Sequence, residues 1–165
     1  MMLSEYTDIF LRPGEWYFGG ERTRIRTTLG SCVAITLWHP THKTGGMCHY
    51  MLPGIGRFPE ELNGRYADDA VRLLLADIQQ RGHNAVEYEA KAFGGGNMFG
   101  PTLPDTSVAD RNVDAARQLL RHYGLNVHAS HLGGSGYRQL IFNLQDGHVW
   151  LRQGGASQTG PRGVA

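Results

Sequence analysis

One cysteine and one histidine of this chain have the types and the spacing that thiol chemistry needs. Cys32 follows a Gly30-Ser31 turn and opens an apolar segment, and His49 lies 17 residues further on, in the next apolar segment. A free thiol has a pKa of about 8.5 and is mostly protonated at neutral pH, so a catalytic cysteine needs a histidine that holds an ion pair with it or takes its proton. Cys32 and His49 are therefore the candidate nucleophile and base.

The distance between these two side chains depends on how their strands pair. If the strands turn tightly at Pro40-Thr41, Cys32 lies directly opposite His49 on one face of the sheet. If the whole of residues 39–46 is loop, the pair keeps the same face but is displaced by four residues, about 13 Å along the strand. The sequence thus predicts a shared face in both cases and contact only in the first.

Core packing is the alternative explanation for both residues. A cysteine that opens an apolar strand is typically a small buried hydrophobe, and a single histidine on a strand is typically a hydrogen-bonded core residue. Cys48 is the neighbour of His49 on a strand and so points to the opposite face, which predicts that it packs in the core.

Two further motifs suggest binding chemistry only weakly. The run Gly94-Gly95-Gly96 follows a predicted strand but lacks the Lys-Ser/Thr ending of a phosphate loop, so we interpret it as a tight connection or a wall of a substrate groove. His128 and His131 have an odd spacing that puts them on opposite faces of a strand, which argues against a metal site built from the pair.

The elements that position these residues follow from hydrophobic periodicity. Helices are predicted over residues 66–82, which end at Gly82, and near residues 108–123, where Ser107 and Asp110 resemble a capping box. Val86 to Ala92 alternates apolar and charged residues, as in a half-buried strand. The other predicted strands are residues 23–28, 32–38, 47–52, 126–130, 138–144 and 148–152, the last two joined by a hairpin around Asp146-Gly147.

Strands outnumber helices in this prediction, and the helices lie between strands. That order favours an α/β or α+β domain whose helices cover one face of a mixed sheet. We predict a single domain over residues 1–152, and a flexible C-terminal tail over residues 153–165 because that segment is rich in Gly, Ser, Gln, Thr and Pro.

Composition narrows the class of protein. The 165 residues hold 16 Lys plus Arg and 15 Asp plus Glu, scattered along the chain, so neither nucleic acid nor an anionic membrane is an expected partner. No apolar run approaches the roughly 20 residues that span a bilayer, and the N-terminus does not resemble a signal peptide, so a soluble, cytoplasmic protein with two free thiols is expected.

Taken together, several segments resemble the CheD family of chemoreceptor glutamine deamidases. The resemblance covers most of residues 20–152 in order. It is carried by residues 27–53, Arg65 to Val71, Glu89 to Phe99, Arg111-Asn112-Val113, and the Gly133-Gly134 region into the final hairpin.

This resemblance implies an activity, a fold and roles for residues. The implied fold is a layered sandwich of mixed, largely antiparallel sheet with helices on one outer face, similar to bacterial toxin deamidases. The implied enzyme is a cysteine-dependent protein-glutamine glutaminase that converts receptor glutamine side chains to glutamate and releases ammonia without a metal or organic cofactor. Cys32 matches the nucleophile, His49 the base, and Thr27 the threonine that orients the imidazole, with Thr28 as the alternative.

The resemblance also implies partners and leaves other functions open. The expected protein substrates are methyl-accepting chemotaxis receptors, and a CheC-type phosphatase is a second possible partner. The alternatives to a receptor deamidase are an interaction module that binds receptors or such a phosphatase with little catalysis, and a general amidase that acts on free glutamine. The same residues are also compatible with hydrolysis of a methyl ester.

Overall fold

The computed structural model describes residues 5–99, 107–155 and 162–164, which form two five-stranded sheets and two α-helices. The strands are β1 (Thr7–Phe10), β2 (Trp16–Gly19), β3 (Thr23–Leu29), β4 (Val33–Trp38), β5 (Gly45–Tyr50), β6 (Glu89–Gly94), β7 (Asn126–Leu132), β8 (Arg138–Asn143), β9 (Val149–Gln153) and β10 (Arg162–Val164). The helices are α1 (Ala67–Gln80) and α2 (Val108–His122).

Both sheets are mixed and largely antiparallel. The first sheet has the order β1-β3-β8-β9-β10, and only β1 and β3 pair in parallel. The second has the order β2-β5-β4-β6-β7, and only β6 and β7 pair in parallel. The predicted mixed, largely antiparallel architecture is confirmed.

Two apolar clusters show that the fold has three layers. One cluster lies between the second sheet and the helices and includes Val33, Tyr50 and Leu74, all fully buried. The other lies between the sheets and includes Leu29 and Ala34. The second sheet is therefore the middle layer, covered by the first sheet on one face and by both helices on the other, as the predicted placement of the helices requires.

Both predicted helices are present. α1 buries the predicted apolar face, and Gly82 follows its end with φ of 75°, a conformation that glycine adopts without strain. The Ser107 hydroxyl accepts a hydrogen bond from the Asp110 amide at 3.0 Å, which caps α2 at its predicted start.

The predicted registers of the β4–β5 hairpin are both wrong. Trp38 pairs with Gly45 and Ala34 pairs with His49, which lies midway between the two predicted arrangements. The loop is held by hydrogen bonds from His39 N to Thr44 O and from Lys43 N to His39 O, each 2.8 Å. At Gly45 a Cβ would lie 2.3 Å from the Leu37 carbonyl oxygen, so this close approach requires glycine and helps to set where pairing begins.

The strand predicted from Val86 to Ala92 is also corrected. Residues Ala85–Glu87 form a 3₁₀ turn, Val86 is exposed, and the strand runs over Glu89–Gly94. Its residues after Glu89 are all buried because β6 lies inside the middle sheet, whereas alternation predicted one solvated face. Lys91 shows how a charged residue is accommodated there: its Nζ donates to the Gly147 carbonyl at 2.8 Å.

Part of the predicted C-terminal tail is described. β9 ends at Gln153, and the backbone of Arg162–Val164 pairs antiparallel with Val149–Leu151 as β10. Residues 156–161 and 165 lie outside the described residues, so flexibility of that tail stays a prediction.

Candidate active site

Thr27 and His49 come from different sheets and meet in the space between them. In β3 the side chains at 23, 25, 27 and 29 point inward, so Thr27 is buried while Thr28 is exposed. In β5 His49 is buried and pairs with Ala34, whose side chain belongs to the cluster between the sheets. The Thr27 hydroxyl oxygen lies 2.7 Å from His49 Nδ1.

The hydrogen bonds of Thr27 determine the tautomer of His49. The hydroxyl has one proton, and it is donated to the Leu11 carbonyl oxygen at 2.9 Å. In the contact with His49 the hydroxyl oxygen is therefore the acceptor and Nδ1–H is the donor. A neutral imidazole protonated at Nδ1 has its free lone pair at Nε2, which is the form that acts as a base.

The environment of His49 keeps the ring neutral. Burial lowers the pKa of His49 to about 4, and the nearby Glu15 carboxylate offsets only part of this effect. The Nε2 atom is buried and has no hydrogen-bond partner within the described part of the chain. Burying a nitrogen without a hydrogen-bond partner costs free energy. Such unpartnered groups are rare in proteins and are more common at functional sites.

Cys32 lies on the same side of the middle sheet as His49. It packs against the cluster that contains Ala34, but it lies just outside the β4–β5 ladder, whose last pair is Val33 with Tyr50. Continuing the observed register by one residue would set Cys32 opposite Met51, two residues beyond His49. The structure thus supports the predicted shared face, in a register that was not predicted.

The Cys32 thiol is partly exposed and protonated at rest. Burial raises the pKa of the Cys32 thiol, and no opposing charge lowers it. With a neutral His49, this environment favours proton transfer during attack over a standing thiolate–imidazolium pair.

Cys32 opens into a cleft of about 470 Å³. The described residues that line it are Ser31, Cys32, Met51, Leu52, Gly96, Asn97, Met98, Phe99, Ser107, Val108 and Ala109. None of these carries a charge. This described lining therefore suits an uncharged side chain and offers no counter-ion to a carboxylate.

The glycine run that begins at the end of β6 reaches this cleft, and Gly96 is part of its lining. Gly95 N donates to the Cys32 carbonyl at 2.8 Å and Gly96 N donates to the Gly30 carbonyl at 2.9 Å. At Gly94, where φ is 113°, a Cβ would lie 2.3 Å from the Cys32 carbonyl oxygen. The run thus allows the close approach that holds the carbonyls of the cysteine turn. This agrees with the predicted tight connection or groove wall.

The backbone N–H groups of Ser31 and Cys32 have no hydrogen-bond acceptor among the described residues. Amides beside a nucleophile that have no internal acceptor are suited to bind a developing oxyanion.

Two contributors to the site were not predicted from the sequence. Leu11 supplies a backbone carbonyl, for which side-chain patterns contain no signal. Asn112 is fully buried on α2 and donates to the carbonyls of Ser31 and Met51. A polar residue in the middle of the apolar face of α2 was the available signal for Asn112.

The remaining candidate residues lie elsewhere or in inert positions. Cys48 is fully buried, and burial raises the pKa of its thiol to about 12. His131 Nδ1 accepts a hydrogen bond from Arg138 Nε at 2.9 Å, whereas His128 lies 3.7 Å from Glu89. Across residues 5–99, 107–155 and 162–164, no three His, Cys, Asp or Glu side chains are grouped so as to bind a metal.

The helices of the described segments are too short or too polar to cross a bilayer.

Comparison with known proteins gives consistent matches. Residues 51–153 match a family described as "CheD chemotactic sensory transduction", a range that begins after Thr27, Cys32 and His49. A probable chemoreceptor glutamine deamidase CheD of Pseudomonas fluorescens (strain SBW25) is 48% identical over 149 residues, covering 88% of this chain and 84% of that protein. A probable chemoreceptor glutamine deamidase CheD 3 of Dechloromonas aromatica (strain RCB) is 48% identical over 150 residues, covering 90% of this chain and 88% of that protein.

Proposed function

The chain belongs to the CheD family, and from that premise we propose that it deamidates specific glutamine side chains of methyl-accepting chemotaxis receptors. The observation that carries this proposal is the hydrogen bond between Thr27 and His49, which leaves Nε2 of His49 unprotonated. Cys32, on the same side of the middle sheet, opens into a cleft whose described lining is uncharged. Relatives named as chemoreceptor glutamine deamidases support the substrate class.

In the first half of the proposed reaction Cys32 becomes acylated. Its sulfur attacks the amide carbon while His49 Nε2 takes the thiol proton, and the amides of Ser31 and Cys32 donate to the oxyanion. The C–N bond then breaks, and His49 returns the proton to the departing nitrogen, which leaves as ammonia.

In the second half water hydrolyses the thioester. His49 removes a proton from water as the water oxygen attacks the acyl carbon, and the C–S bond breaks. The sulfur regains its proton and the receptor side chain leaves as glutamate. Because the described cleft lining has no cation, nothing there retains the new carboxylate, which favours release of the product.

The same absence of charge bears on whether the substrate is free or protein-bound glutamine. Free glutamine carries an ammonium and a carboxylate, and the described cleft lining offers neither a counter-ion. A glutamine within a protein carries neither charge. We therefore propose turnover of protein-bound glutamine and little turnover of the free amino acid, while a methyl ester, which is also neutral, remains an admissible substrate.

The direct test is intact-mass measurement of a receptor cytoplasmic domain incubated with this protein. We expect each modified site to gain the difference between an amide NH₂ and a hydroxyl, about one dalton.

Cys32→Ala and His49→Ala should remain folded and abolish the gain, since they remove the proposed nucleophile and base. Cys48→Ala is the matched control and should retain activity because Cys48 lies on the opposite face of β5. Full activity of Cys32→Ala would eliminate the proposed nucleophile.

Binding of a CheC-type phosphatase is a second proposal. It is favoured by the large apolar side chains exposed at the cleft, Leu52 (40%), Met98 (44%) and Phe99 (97%), which suit a protein surface. A binding measurement with the Cys32→Ala protein separates this role from catalysis. Binding unchanged by Cys32→Ala but weakened by Phe99→Ser would support it, and no binding by the wild-type protein would exclude it.

A further inference from the structure

Asn112 joins the turn that carries Cys32 to the strand that carries His49. Its side chain is fully buried, and Nδ2 donates to the Ser31 carbonyl at 3.0 Å and to the Met51 carbonyl at 2.8 Å. Ser31 immediately precedes Cys32, and Met51 follows His49 by two residues. One amide nitrogen is therefore bonded to both halves of the proposed site.

The side-chain amide of Asn112 lies where β4 and β5 stop pairing with each other. The last pair is Val33 with Tyr50, and the same register would next join Cys32 to Met51. Instead, the Cys32 carbonyl accepts from Gly95 N, and Met51 N donates to the Arg65 carbonyl, each at 2.8 Å. We call residues 31–32 and 51–52 the strand fork. All four of them line the cleft, so the fork forms part of its wall.

The hydrogen-bond partners at the strand fork suit a neutral side-chain amide. Both partners of the Asn112 side chain are carbonyl oxygens, which accept hydrogen bonds and repel one another. The NH₂ group of Asn112 supplies one proton to each of them. A carboxylate of the same shape supplies no proton and adds negative charge next to both oxygens. The backbone of Asn112 is fixed as well, because its carbonyl accepts the Tyr50 hydroxyl at 2.6 Å.

We propose that Asn112 is a positioning residue that sets the separation of Cys32 and His49. It acts through the backbone of Ser31 and Met51, and it is fully buried and absent from the described lining of the cleft, so we assign it no contact with substrate. This inference rests on the proposed function. A displacement of about 1 Å at reacting groups can reduce a rate by about 10²-fold, which is the scale of effect expected if the fork relaxes.

Asn112→Asp tests the proposal, because it keeps the shape of the side chain and replaces the donor. We expect kcat for receptor deamidation to fall by about 100-fold, while KM changes by no more than about twofold because the cleft lining is intact. The matched control is Asn126→Asp, in which Asn126 Nδ2 donates to a single carbonyl, that of Val86, at 3.0 Å on exposed β7. The control should retain wild-type kcat.

Alkylation of Cys32 by iodoacetamide gives a readout that needs no receptor. In Asn112→Asp the rate at neutral pH should fall at least about tenfold, since a displaced His49 no longer takes the thiol proton. If the wild-type protein deamidates no receptor, the proposed function fails, but the alkylation comparison still decides the role of Asn112.

Three outcomes would overturn the proposal. The first is a folded Asn112→Asp protein with kcat and alkylation rate within about twofold of wild type. The second is a loss of activity that follows the unfolded fraction and disappears at lower temperature, which is a purely structural effect. The third concerns Asn112→Ala, which removes the donor without adding charge and is used if Asn112→Asp does not fold. Either a normal kcat in Asn112→Ala or its failure to fold would overturn the proposal.

Discussion

At the scale of single residues, the proposed site depends on hydrogen bonds that determine which nitrogen of His49 carries a proton. Thr27 gives its only proton to Leu11, so it can only accept from His49. Thr28 faces solvent and has no part in this arrangement. The sequence left Thr27 and Thr28 as alternatives, and the structure places only Thr27 within hydrogen-bond distance of the imidazole.

Thr27→Val should impair catalysis more than binding. Valine has the shape of threonine but does not accept from Nδ1–H, so the imidazole loses its fixed tautomer and orientation. We expect kcat to fall by roughly 100-fold, the lower end of what a positioned base contributes. Thr27→Ser keeps the hydroxyl and should recover most of the activity. Thr28→Val is the control, and an equal loss of kcat in both valine variants would contradict the role of Thr27.

At the scale of elements, periodicity predicted the helices well and the strand registers poorly. α1 and α2 were identified because an amphipathic face and a terminating glycine or capping serine are local features. The β4–β5 register was wrong because it depends on the loop of residues 39–44 and on the close approach at Gly45, neither of which is encoded by alternation. β6 was misplaced because a strand buried on both faces does not obey the one-face pattern.

Gly45→Ala should destabilise the hairpin that carries His49. The added Cβ would lie 2.3 Å from the Leu37 carbonyl oxygen, so β5 must move away from β4. We expect a loss of about 1–3 kcal/mol in the free energy of unfolding, the usual cost of overpacking, measured by urea denaturation. Gly20→Ala is the control, since a Cβ there meets no atom within 4 Å. Equal stability of the two variants would show that β5 tolerates the substitution.

At the scale of the whole molecule, the sandwich of two sheets keeps His49 away from water. Thr27 lies on one sheet and His49 on the other, so their hydrogen bond forms only when the sheets pack together. Folding and the proposed base are therefore coupled, and the coupling has a measurable dependence on pH.

The free energy of unfolding should fall as the solution is acidified from pH 6.5 to about 4. The pKa of His49 is lowered from 6.5 to about 4 in the folded protein, so within this window the unfolded chain binds a proton that the folded chain does not. Above pH 6.5 His49 is neutral in both states and this effect is absent. Between pH 6.5 and about 4 the free energy of unfolding falls by about 3 kcal/mol because of His49. Urea denaturation of the wild type and of His49→Gln across this window measures it.

His49→Gln should lack this part of the pH dependence, because glutamine does not titrate. The other ionisable groups are common to both proteins, so the difference between the two stability curves isolates His49. Parallel curves from pH 6.5 to about 4 would show that His49 is protonated in the folded protein as easily as in the unfolded chain.

The sequence by itself determined the helices, a mixed α and β domain with helices covering a sheet face, and the shared face of Cys32 and His49. These features follow from periods of 3.6 and 2 residues, which act over a few neighbours along the chain. Only the tertiary structure decided the register of His49, the acceptor role of Thr27 and the bridge made by Asn112. Each of these depends on contacts between elements distant in sequence, where sheet packing, a backbone carbonyl or a helix face supplies the partner.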